Sequence, residues 1–198
     1  MRTIAIAGCV CVIMGLCSLL LVPVSSFALG QQGISIKMSM VERGHYLVTV
    51  TGCSDCHSPK KMTPKGLVPD AARLLSGHPS EEKLPEVPPN LFGPDKWGAI
   101  TNNSLTGWVG PWGTSYTSNL TPDAEAGTGV RHEELFITIL RTGKFMASGR
   151  DILPPMPWQD YAKLTDADMK AIFAYLKSLK PVKNQVPASV PAPPPPHQ

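Results

Sequence analysis

The sequence predicts an all-α domain whose N- and C-terminal helices cross, with a long irregular insertion between them. Three observations predict it. Apolar residues recur at helical spacing in three stretches, near residues 39–52, 130–142 and 165–180. Gly44 interrupts the first of these, either as a tolerated weak point or because another helix meets the bare backbone there. Between the helices, residues 58–130 are punctuated from Pro59 to Pro122 and carry few periodic signals. Composition agrees, since 21 prolines and only 17% charged residues in 198 argue for one globular domain rich in irregular structure.

Residues 1–28 read as an export signal: Arg2, then an apolar run from Ile4 to Val22, then Ser26-Phe27-Ala28 as a cleavage site. The alternative is a retained membrane anchor, because the run approaches the ~20 apolar residues that span a bilayer. A lipid-attachment reading of Ile6-Ala7-Gly8-Cys9 is weaker, since too short an apolar region precedes it. Residues 29–38 form a polar, flexible lead-in. The domain proper is expected over 39–182. Ser39 opens the first helix as N-cap, with Glu42 as its capping-box partner, and Gly52 closes it directly before Cys53.

Cys53-Ser54-Asp55-Cys56-His57 reads C-x-x-C-H, the attachment sequence for c-type haem. Two thiols three positions apart can add to the two vinyl groups of one porphyrin edge, and the adjacent His57 can then ligate the iron. The same cysteines could instead form a thioredoxin-like redox pair, half of a zinc site or a plain disulfide. No βαβ pattern and no second C-x-x-C or His-x-x-x-His supports the first two, and a disulfide leaves His57 as coincidence. The other three cysteines, Cys9, Cys11 and Cys17, lie in the N-terminal apolar run, so the exported chain has no disulfide framework.

In the insertion, Asp70 to Leu75 is expected as a short helix. Trp97, Trp108 and Trp112 are either ordinary core or the lining of a haem pocket. His78, before Pro79, is expected at the surface of a turn rather than on iron. Val130 to Thr142 is expected as a helix with Leu135, Phe136, Ile139 and Leu140 on one face, His132 solvated at its start and Gly143 as its stop. Pro154, Pro155 and Pro157 then forbid a helix and hold Met156 in a rigid loop. A thioether binds iron weakly and benefits from such placement, which makes Met156 the expected distal ligand. Met146 is its rival; Met62 lies too near the motif, and Met169 falls in the core of the last helix. That helix opens at Thr165-Asp166-Ala167-Asp168, carries Met169, Ile172, Phe173, Leu176 and Leu179 on one face, and stops at Pro181. Residues 183–198 are expected as a proline-rich, disordered tail, whose His197 is no ligand.

A formal net charge of +3, with no basic stripe, gives no case for nucleic-acid binding. Taken together these residues resemble bacterial class I c-type cytochromes. More narrowly, Arg43-Gly44-His45-Tyr46-Leu47-Val48, Asn119-Leu120-Thr121-Pro122-Asp123, Leu140-Arg141-Thr142-Gly143, Pro155-Met156-Pro157-Trp158 and Ala171-Ile172-Phe173-Ala174-Tyr175-Leu176 are similar to the cytochrome c subunits of membrane-associated alcohol, sugar-acid and aldehyde dehydrogenases. Those subunits usually carry several haem domains; this chain has one C-x-x-C-H. The resemblance implies the class I fold, a segment Asn119–Asp123 near the haem edge, and a carrier of single electrons rather than an enzyme. Expected partners are redox proteins such as a dehydrogenase or terminal oxidase, in the periplasm or at the membrane. The competing reading is a haem enzyme or gas or redox sensor with an open distal site, which requires that Met156 not bind iron.

Overall fold

A computed structural model describes residues 38–127, 132–145 and 149–192 of the protein. The expectations for residues 1–37, Met146 and His197 lie outside those residues. Helix α1 spans Met40–Val50. Its capping box is complete: the Ser39 amide donates to the Glu42 carboxylate at 2.8 Å and the Glu42 amide to the Ser39 hydroxyl at 3.2 Å. After Thr51 and Gly52 the chain re-enters a single helical turn, α2, at Cys53–His57.

A hairpin follows, β1 (Lys60–Thr63) with β2 (Gly66–Pro69), and then a 3₁₀ turn at Ala71–Arg73 capped by Asp70. Strands β3 (Ile100–Thr101), β4 (Gly107–Gly110) and β5 (Gly113–Tyr116) make an antiparallel sheet. Helix α3 (Glu133–Thr142) ends at Gly143 and leads into the short pair β6 (Lys144–Phe145) and β7 (Arg150–Asp151). The turn α4 (Trp158–Tyr161) precedes the last helix, α5 (Asp166–Ser178), whose N-cap Thr165 accepts the Asp168 amide. Finally β8 (Val190–Pro191) pairs with β5 and closes the sheet in the order β3-β4-β5-β8. Among the described residues no helix is long and apolar enough to cross a membrane.

Helices α1 and α5 pack backbone to backbone. A Cβ built on Gly44 would sit 1.9 Å from the Ala171 carbonyl oxygen, so only glycine fits at the contact. Around it Leu47 and Val48 of α1 meet Met169, Ala171, Ile172 and Leu176 of α5, joined by Phe136 and Leu140 of α3 and by Leu75. Each large side chain so buried contributes about 1.5–3 kcal/mol. The Arg43–Asp168 ion pair beside the contact, at 3.0 Å and partly exposed, is worth at most about 1 kcal/mol. Apolar packing therefore decides how these helices meet.

Four expectations need correction. The domain is not all-α: three small antiparallel sheets occupy stretches read as irregular, because Thr63-Pro64-Lys65-Gly66 and Gly110-Pro111-Trp112-Gly113 each fold as a tight turn between short strands. Residues 183–192 are not a disordered tail; they are held by β8 and by Asn184, which is only 3% exposed. His78 is not at the surface but fully buried, its Nε2–H donating to the Glu82 carbonyl at 3.1 Å and its Nδ1 bonded to the Thr106 hydroxyl at 3.0 Å. Trp97 is 67% exposed and belongs neither to the core nor to the wall of the cavity described below.

Candidate functional site

A cavity of about 850 Å³ is walled by α2, α3, α5, the end of β5, the loop 150–157 and the stretch 185–189. That volume lies in the range of cofactor and ligand sites. Its walls are mainly apolar, with Phe136, Ile139 and Leu140 from α3 and Ile172 and Leu176 from α5. The amphipathic faces legible in the sequence thus serve two purposes: part packs helix to helix, and part lines this space.

Cys53, Cys56 and His57 all reach the cavity wall. They stand at i, i+3 and i+4 of one helical turn, which puts them on one side of α2. Both thiols are free. Burial pushes the Cys53 thiol up, with the Thr51 hydroxyl only partly offsetting it. Burial likewise raises Cys56, against the opposing pull of the Lys60 ammonium. A depressed thiol is the mark of a redox-active C-x-x-C pair, and burial acts in the opposite direction on both cysteines. Among the described residues no group of three or more His, Cys, Asp or Glu side chains is arranged to hold a metal ion.

His57 is fixed at two points. Its Nδ1–H donates to the Ser118 carbonyl at 2.8 Å, and its own carbonyl accepts the Gly77 amide at 2.8 Å. Burial holds the imidazole below the ordinary histidine value, against the opposing effect of the Ser118 carbonyl. The ring is therefore neutral at neutral pH, with Nδ1 committed and Nε2 left as the basic nitrogen.

Met156 lies on the same cavity wall, in the loop between β7 and α4. Met62 is 73% exposed on β1, and Met169 is fully buried between α1 and α5; neither lines the cavity. The Met156 loop is tied back to the sheet, for the Ser115 hydroxyl donates to the Pro154 carbonyl at 2.6 Å and accepts the Trp112 indole N–H at 3.3 Å. Trp108 lines the cavity, but its indole N–H is spent on the Leu105 carbonyl at 2.8 Å.

Sequence reasoning missed several wall residues. Tyr161 donates its hydroxyl to the Thr51 carbonyl at 2.9 Å, staples α4 to the start of the motif, and is pushed up by burial to about 12. Thr117 carries a buried hydroxyl with no protein partner, on the same wall. Ser118 acts through a main-chain carbonyl, which leaves no side-chain signature. Arg150, stacked over Phe145 at 4.4 Å, lines the cavity as well.

No family model matches the chain. It is 39% identical over 148 residues to the cytochrome c subunit of a quinone alcohol dehydrogenase of Gluconobacter oxydans, covering 74% of this chain and 23% of that one. It is 29% identical over 143 residues to the fructose dehydrogenase cytochrome subunit of Gluconobacter japonicus, covering 72% and 22%. It is also 29% identical over 137 residues to the gluconate 2-dehydrogenase cytochrome c subunit of Pantoea cypripedii, covering 69% and 22%. The chain spans less than a quarter of the length of each of these relatives.

Proposed function

We propose that the protein is an exported electron carrier holding one covalent haem c in this cavity. Cys53 and Cys56 would provide the two thioether links, and His57 Nε2 and the Met156 sulfur would hold the iron. The observation that carries this reading is one helical turn presenting two free thiols and a ring-anchored, neutral histidine to an apolar cavity that Met156 also lines. The residues suit the group. Apolar walls match a macrocycle, and the unpartnered Thr117 hydroxyl offers a hydrogen bond to its polar margin.

When bound, the iron supplies a one-electron change between Fe(III) and Fe(II). The chain's part is to hold ligands and exclude water. The Ser118 carbonyl fixes the His57 tautomer and raises the basicity of Nε2. The proline-braced loop presents Met156 with few alternative conformations to lose. With His57 and Met156 both holding the iron, the group would have no position left for a substrate, which is why we read a carrier and not an enzyme. The relatives' names favour a dehydrogenase as electron donor; a terminal oxidase is a fitting acceptor. Docking of such partners is weak and transient. Residues 1–28 would direct the chain to the periplasm, cleaved or retained as an anchor.

A reduced-minus-oxidised spectrum of the purified protein tests this. A c-type haem spectrum that survives acid–acetone extraction is expected. A colourless protein would end the proposal, and ligand binding to the ferrous iron without loss of a protein ligand would favour an open-site enzyme or sensor.

A further inference from the structure

We infer that Asn184, 127 residues after His57, is a positioning residue for that imidazole, acting through the two loops that grip it. The inference rests on His57 being an axial ligand. His57 has two handles, and each belongs to a different loop. Gly77 donates to its carbonyl, and Ser118 accepts from its ring. The two loops are paired, with the His78 amide donating to Thr117 at 3.0 Å and the Leu120 amide to Leu75 at 2.8 Å. They also touch directly: a Cβ on Gly77 would stand 2.5 Å from the Thr117 carbonyl oxygen.

Asn184 clamps this pair. Its side-chain amide donates to the Ser76 carbonyl at 2.7 Å and the His78 carbonyl at 2.8 Å, the two carbonyls flanking Gly77. Its side-chain oxygen accepts the Ser80 amide at 2.9 Å. Its main-chain carbonyl accepts the Asn119 side-chain amide at 3.2 Å, next to Ser118. The same Asn119 amide donates to the Val182 carbonyl at 2.8 Å. Asn119 is fully buried and Asn184 nearly so, which shields these bonds from water. Further on, the segment runs along the cavity wall at residues 185–189 and is pinned again where β8 meets β5 and the Ala192 amide donates to Trp112. It is thus a strap, anchored on both sides of the cavity stretch.

Three roles for the strap predict different shifts in the reduction potential. As a tether of His57, its loosening weakens the Nδ1–Ser118 bond and lowers the basicity of Nε2; the ferric state is then less favoured and the potential rises. As a mere cover, its loosening admits water, favours the more charged ferric state and lowers the potential. As general stabilisation, it leaves the potential unmoved.

The test uses the full-length protein carrying Asn184→Ala, with Asn184→Asp as a second variant that keeps the Ser80 bond and the side-chain shape but loses both donors. Leu47→Ala, in the α1–α5 core, controls for lost stability alone. Amide hydrogen exchange at Gly77 is followed in the protein with or without attached haem, and the potential is titrated where haem is attached. We expect faster Gly77 exchange in both Asn184 variants beyond that of Leu47→Ala, and a higher potential in Asn184→Ala, which adds no charge. Wild-type protection at Gly77 in both variants overturns the inference, and so does a potential that stays or falls in Asn184→Ala. Absence of haem from the wild type would defeat the proposed function, while the Gly77 exchange would still decide whether the clamp exists.

Discussion

His57 is the residue on which the site turns, and it illustrates what a sequence does and does not disclose. The C-x-x-C-H spacing is what singles it out in the sequence, and the flanking prolines are what single out Met156; the fold brings both to one cavity wall. Ser118 was not legible: it contributes a carbonyl, which every residue has, and only the fold brings it to the imidazole. His78 was misread because a His-Pro pair in a loop says nothing of the partners, the Thr106 hydroxyl and the Glu82 carbonyl, that satisfy its ring. Two predictions belong at this scale. Met156→Ala should retain covalent haem but lose the weak near-infrared band of sulfur–iron(III) ligation, whereas Met62→Ala should keep it; the oxidised spectra decide. Tyr161→Phe removes the bond to the Thr51 carbonyl and should lower unfolding free energy by about 1 kcal/mol in a denaturant titration.

Among the elements, helices were the readable ones. Capping boxes and apolar periodicity are local, so α1, α3 and α5 stand close to their expected positions. The strands are two to four residues long, too short for an alternating pattern to register. Yet their turns had a signature. Thr63-Pro64-Lys65-Gly66 and Gly110-Pro111-Trp112-Gly113 share proline second and glycine fourth, the preference of a type I turn. The contact of α1 with α5 yields the sharpest element-scale expectation. Gly44→Ala forces apart two backbones with no side chain to yield, and should cost about 3 kcal/mol, the upper range for overpacking. Equilibrium unfolding measures it, and a change below 0.5 kcal/mol, roughly the noise of ordinary surface substitutions, would contradict the packing described. The neighbouring ion pair has a small pH signature. The Arg43 guanidinium bonds Asp168 and holds its carboxyl below the usual value near 3.8. Its contribution, about 0.5 kcal/mol or less, is present above that value and is lost as pH falls through the depressed one. Asp168→Asn should remove this acid step from the stability profile and leave the rest.

At the scale of the whole molecule, the fold is a helical frame with small sheets and a strap built onto it. The all-α expectation missed the small sheets because it read residues 58–130 as an irregular insertion and 183–198 as a disordered tail. Both carry long-range hydrogen bonds, such as Asn184 to Ser76 and His78, that no local window can reveal. The cavity explains why these segments are ordered: helices α3 and α5 present apolar side chains to a space that loops and strap must close. The central claim is that this space holds a single haem joined to Cys53 and Cys56. Intact-mass spectrometry of the mature holoprotein, followed by peptide mapping of the attachment site, tests it most directly. The account predicts a mass greater than the polypeptide by one haem, carried on the peptide containing both cysteines. A mass equal to the bare polypeptide, or the added mass on any other peptide, would contradict it.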